Sequence, residues 1–175
     1  MILLNILIII LFASIAYQDF HNREVSWFLF PLAFVAVVVN ALIEHKPMQL
    51  LGYFGINALF VTLQMAILFL VYAIKHRRFV NIVNTYIGAG DLIFFLLLCA
   101  GFSPLFFGVY FLSSLILLTI LYLLKQSVEK ESGRKDIPLA GGLSVSYVIM
   151  LLAGFFYTGF DLYNDLLIGD LFIGK

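Results

Sequence analysis

Apolar residues run along this chain in six long blocks, Ile2–Tyr17, Ser26–Ile43, Leu50–Ile74, Ile87–Gly101, Leu105–Leu124 and Leu139–Phe160, with short polar stretches between them. Crossing roughly 30 Å of hydrocarbon takes about 20 residues of helix, with a lower limit near 17. The pattern therefore predicts an all-α polytopic membrane protein with six transmembrane helices and one domain over residues 1–175. The fourth block is short. Leu92–Phe102, ahead of the Ser103-Pro104 break, is eleven residues, or about 16 Å of helix.

Merging the fourth and fifth blocks would remove that difficulty, but it would put the basic loops Lys75–Tyr86 and Lys125–Pro138 on opposite faces. Charge decides the matter. With six spans, loops one, three and five hold Arg23, Lys75, Arg77, Arg78, Lys125, Lys130, Arg134 and Lys135, eight of the ten basic residues, and the other side holds Lys46 and Lys175. The positive-inside rule then puts the odd loops in the cytoplasm and both termini outside. A short fourth helix that must still reach the far side has to start below the cytoplasmic surface. Phe79–Gly90 is thus expected to dip into the protein and deliver Asp91 partway into the bilayer, where irregular backbone survives only if protein or a wet cavity surrounds it. Gly88 and Gly90 suit such a segment because they admit positive φ and close backbone approach.

Composition agrees with the pattern. The chain of 175 residues is 63% hydrophobic and 11% charged, against about 25% charged in soluble domains. Net charge is zero and no basic cluster alternates with aromatics, so no nucleic-acid partner is expected. Cys99 stands alone in an apolar run, which excludes an internal disulfide and a cysteine-based zinc knuckle. His21, His45 and His76 fall in three separate loops without metal-ligand spacing, so neither metal nor cofactor is called for. Ser14-Ile15-Ala16 loosely fits a signal cleavage site, but the basic n-region is missing, and the first block is kept as a span. Lys75-His76-Arg77-Arg78 anchors the topology and could meet anionic headgroups. Lys125–Asp136 is a solvated loop. Asn57 and Gln64 share a face of the third helix and are expected to bond to neighbouring helices. Asp161, Asp165 and Asp170 look like an amphipathic end rather than a site.

Two carboxylates remain, Asp19 and Asp91, both on the cytoplasmic side and both at the edge of hydrocarbon, where an aspartate is costly. Brought together they would share a proton. The ionised member could then take a proton from water while the acid protonates a scissile carbonyl. Each also fits an ordinary interfacial role: Asp19 paired with Arg23 at i+4 if the helix continues, and Asp91 capping a helix that begins at Leu92.

The motifs around them resemble a known family. Glycine-any-glycine-aspartate at a helix start (Gly88-Ala89-Gly90-Asp91), preceded by an aspartate after the first span, is similar to the type IV prepilin peptidases and archaeal preflagellin peptidases. The family's first motif resembles D-x-x-x-R-x-[IV]-P; here Asp19-Phe20-His21-Asn22-Arg23-Glu24-Val25 is followed by Ser26 in place of proline. A lysine commonly follows two residues after the second aspartate, where this chain has Ile93. Asp136-Ile137-Pro138-Leu139-Ala140-Gly141-Gly142 looks like the family's segment entering the last helix.

The resemblance implies an intramembrane aspartyl endopeptidase in the cytoplasmic membrane of a prokaryote, with its site facing the cytoplasm and no cofactor. Asp19 and Asp91 would be the catalytic pair, and Gly88, Gly90 and Arg23 would shape the site. The substrate would be a prepilin-like protein whose short basic leader is removed. The family's N-terminal domain with paired cysteines is missing, so cleavage without methylation is expected. The departures at Ser26 and Ile93 leave substrate range open. Competing readings are a small proton-coupled transporter using the same aspartates as relays and an inactive relative serving as an assembly factor. Lipoprotein signal peptidases fit worse, because they act at the outer face.

Overall fold

The computed structural model describes residues 2–76, 88–128, 138–156 and 161–165. Within them the chain is all-helical, with α1 (Ile2–Asn22), α2 (Leu29–Glu44), α3 (Pro47–His76), α4 (Ala89–Cys99), α5 (Pro104–Val128) and α6 (Leu139–Phe156). Helices α1, α3 and α5 are long and apolar enough to cross a membrane over Ile2–Asn22, Pro47–Lys75 and Pro104–Leu124, while Leu29–Ile43, Ala89–Cys99 and Leu139–Gly154 are shorter apolar helices. Arg77, Arg78, Lys130, Arg134, Lys135, Asp170 and Lys175 lie outside the described residues, as does the 79–87 part of the expected dip.

Helix α1 is the hub, packing chiefly on α6 and then on α2, while α4 touches α2, α3 and α6. The inward stripe of α1 is Ile8, Leu11, Phe12, Ile15, Ala16 and Asp19, the i, i+3, i+4 spacing that lines up one helix face. Its other face is apolar too, with Leu3 83% and Tyr17 67% exposed, as suits a helix bathed in lipid rather than water. An aromatic core fills the centre. Phe12 stacks on Tyr147 of α6 at 4.3 Å and meets Phe94 of α4 edge-on at 5.9 Å, and Phe102 stacks on Tyr110 at 4.5 Å.

Two boundaries depart from the sequence expectation in ways that matter for the site. First, α1 runs five residues past Tyr17 and carries Asp19 inside its last turn. It stops because Arg23 takes φ 60° and donates its amide to Asp19 O at 3.1 Å, a left-handed terminus more usual for glycine. Arg23 therefore stands just past the helix end, with its charge still acting on Asp19. Second, α4 starts at Ala89 with Gly88 as its N-cap. Asp91 sits one turn inside the helix, so it does not cap a helix starting at Leu92.

Beyond α4 the chain turns sharply through Ala100–Ser103. Asn57 of α3, fully buried, donates from Nδ2 to Cys99 O (3.0 Å) and Phe102 O (2.9 Å). This pins carbonyls that the end of a helix leaves without partners. Residues 161–165 cover the same end of the bundle. Ser103 N donates to Leu162 O at 2.9 Å, and the Tyr163 hydroxyl donates to Ala100 O at 2.9 Å. Asp165 Oδ1 accepts from Leu105 N and Phe106 N at the start of α5. Burial, with Tyr147 and Asp161 nearby, raises the Tyr163 phenol above its ordinary range and keeps it a donor. The C-terminal aspartates that looked like one face of an amphipathic end thus have separate tasks. Asp165 caps α5, and Asp161 lies 3.6 Å from Nε2 of His45.

Candidate active site

The start of α6 brings the two aspartates together. An α-helix leaves its first amides without intrahelical acceptors, and in α6 the first internal bond is Gly142 N to Pro138 O at 3.0 Å. The amides of Ala140 and Gly141 are therefore free to point outward. Gly141 N donates to Asp19 Oδ2 at 2.6 Å, and the Asp91 carboxylate lies near the neighbouring Ala140 amide. Two carboxylates from two other helices thus meet at one helix N-terminus. There the helix dipole adds the equivalent of about half a positive charge. The carboxylates are also near enough for their charges to interact. Asp19 is only 8% exposed, and Asp91 is partly buried.

Helix starts alone account for each half of this arrangement. In α4, Asp91 is the third residue of the helix and turns its carboxylate back towards the N-cap, Gly88. A Cβ at position 88 would come 3.3 Å from Asp91 Oδ2, so glycine leaves room for the carboxylate itself. Positive φ is not the reason: Gly88 has φ −65° and ψ 144°, and Gly90 lies within α4. A Cβ on Gly90 would meet only the Phe30 ring at 3.9 Å, an ordinary contact. Gly90 is thus the second residue of α4, with room at its Cα for a methyl group. Arg23 keeps a place beside the site, with its charge acting on Asp19.

Gly141 and Gly142, which sequence reasoning noted only as part of a resembling segment, carry tighter constraints. A Cβ on Gly141 would stand 3.0 Å from Asp19 Oδ2 and 3.2 Å from Asp19 Cβ. On Gly142 it would overlap the Leu118 side chain of α5. Backbone donors have no side-chain signature, so the only hint in the sequence was a proline followed by small residues at a helix start.

Among the described residues, no group of three or more His, Cys, Asp or Glu side chains could hold a metal ion. Cys99 is buried and packs in the aromatic core as a small hydrophobe. No family model, no curated protein and no solved structure matches this chain.

Proposed function

We propose that this protein is an intramembrane aspartyl endopeptidase of the prepilin-peptidase type. It acts in the cytoplasmic membrane of a prokaryote and removes a short basic leader from prepilin-like precursors. In this reading all six helices span the bilayer, both termini lie outside, and the carboxylate pair opens to the cytoplasm. The observation that carries the reading is the meeting of Asp19 and Asp91 at the start of α6, where the Gly141 amide holds Asp19 and Asp91 is close enough for the two charges to interact.

The chemistry follows from that meeting. Two carboxylates in mutual range titrate as a pair and hold one proton between them over a wide pH interval. The ionised member takes a proton from a water molecule, and the resulting hydroxide attacks the scissile carbonyl carbon. The protonated member donates to the carbonyl oxygen, giving a neutral tetrahedral intermediate. The C–N bond then breaks as the proton taken from water passes to the nitrogen, which leaves as the new N-terminal amine while the leader keeps the carboxyl group. The two groups exchange roles in each cycle, as general acid and general base. The Gly141 amide holds Asp19 without spending a side chain, and a backbone amide is neutral and does not titrate in this range. The resembling segments Asp19–Val25 and Gly88–Asp91 support the same reading from the sequence side.

The test is co-expression with a prepilin carrying a basic leader, scored by the mass of the processed product. Asp19→Asn and Asp91→Asn each abolish processing while membrane levels of the protein stay as in wild type. Processing by either variant at the wild-type rate would refute the pair. Transport of protons into proteoliposomes that is lost in the same variants, without any cleavage, would favour the relay reading instead.

A further inference from the structure

A groove of about 800 Å³ runs along α1 on the side turned away from the carboxylate pair. Ile10, Ala13, Ser14 and Tyr17 line it at helical spacing, whereas the buried stripe of the same helix is Ile8, Leu11, Phe12, Ile15, Ala16 and Asp19. Successive helix residues turn by about 100°, so the two stripes face apart and the groove is not an arm of the candidate active site. Its far wall is the stretch that follows α1. Ser26 N donates to Gln18 Oε1 at 2.8 Å, which folds residues 24–26 back against the helix.

The groove changes character along its length. Towards the middle of α1 it is apolar, through Ile10, Ala13 and Tyr17. At the end of α1 it is lined by Gln18, Asn22 and Glu24. Glu24 is the only charged side chain among the lining residues. Arg23 is next to it in sequence, does not line the groove, and has its charge on Asp19. His21 stacks flat on Tyr17, with ring centroids 5.7 Å apart and planes at 8°. An apolar trough on a lipid-facing helix thus ends in acceptors and one negative charge.

We infer that this groove seats one membrane phospholipid whose headgroup ends in a primary ammonium. An acyl chain lies along Ile10, Ala13 and Tyr17, and the ammonium sits on Glu24 and Asn22. Charge complementarity chooses the headgroup. A net-anionic glycerol headgroup meets the Glu24 carboxylate with like charge. A quaternary ammonium has no N–H to give to the carboxylate and amide oxygens, while a primary ammonium has three. The groove's volume of about 800 Å³ lies within the range of about 300–1,000 Å³ typical of small-ligand clefts. The site is independent of the peptidase reading and stands whether or not the aspartates cleave a peptide.

The full chain, purified in detergent, is titrated with dioleoyl phosphatidylethanolamine, phosphatidylcholine and phosphatidylglycerol. Bound lipid is counted by native mass spectrometry and the thermal midpoint is followed in parallel. The ethanolamine lipid binds about fivefold more tightly than the glycerol lipid, the scale of one partly solvated ion pair, with the choline lipid between them. Glu24→Gln removes that preference. Ala13→Trp, which fills the apolar trough at a position not in the folded core, lowers retention of all three lipids and leaves the remaining order unchanged. Equal binding of the three headgroups, preference for the glycerol headgroup, or a preference that survives Glu24→Gln each overturns the inference. So does co-purification of a helical protein that Ala13→Trp displaces.

Discussion

The Gly141 amide donates to Asp19 Oδ2 across 2.6 Å, joining the first turn of α6 to the last turn of α1. The contact depends on the absence of a side chain, because a Cβ at 141 would stand 3.0 Å from the same oxygen. Gly141→Ala therefore displaces the carboxylate rather than the helix. A hydrogen bond to a charged group contributes about 1.5–3 kcal/mol, so cleavage falls by roughly tenfold to a hundredfold. Initial rates of leader removal check this, with the thermal midpoint of the variant showing that the bundle is intact. Wild-type rates in Gly141→Ala would show that this bond does not position Asp19.

The two glycines ahead of Asp91 separate cleanly. Gly88→Ala puts a methyl 3.3 Å from Asp91 Oδ2, and the carboxylate must yield by a few tenths of an ångström. Cleavage is expected to drop by about tenfold, on the scale of one weakened hydrogen bond. Gly90→Ala adds a methyl in ordinary contact with Phe30 inside a helix, where alanine is favoured over glycine by up to about 1 kcal/mol. That variant keeps its activity and is as stable as wild type or slightly more so. Parallel rate and melting measurements on the two proteins distinguish the roles.

Asn57 tests the far end of α4. Its replacement by alanine leaves the buried carbonyls of Cys99 and Phe102 without their donor. Each unsatisfied buried group costs about 1–3 kcal/mol, so the variant loses several degrees of thermal midpoint. Cleavage per folded molecule is retained, because the pair lies at the opposite end of α4. Unfolding in mixed detergent micelles measures the loss directly.

The C-terminal aspartates differ from one another in a measurable way. Asp161→Asn keeps an acceptor for Tyr163 N, now bonded to Asp161 Oδ1 at 2.9 Å, and loses only the attraction to His45. Such a partly exposed pair is worth at most about 1 kcal/mol, and cleavage is unchanged. Asp165→Ala removes the acceptor for two amides at the start of α5. Loss of such a cap costs about 1 kcal/mol, seen as a lower midpoint with activity intact.

Much of this protein is legible in one dimension. Long apolar blocks admit little besides helices, because a backbone in hydrocarbon must bond to itself, and six helices stand within or near the six blocks. The short fourth block also announced itself, and α4 is the shortest helix, at eleven residues. Boundaries were less legible. The turn Gln18–Asn22 is polar except for Phe20, yet it continues α1, since helix ends are set by local backbone bonds such as Arg23 N to Asp19 O.

The sequence by itself determined the class of the molecule and singled out Asp19 and Asp91, because charge is scarce in such a chain and its rare positions stand out. It marked the glycines before Asp91 for a conformational freedom that neither uses. Only the tertiary structure decided what joins the pair: the first turn of α6, whose Gly141 amide holds Asp19 and beside which Asp91 comes to lie, on a helix that packs between the other two. Backbone donors are identical in every residue except proline, so no pattern of side chains distinguishes the one that holds a carboxylate. Its role exists only once α1, α4 and α6 have met.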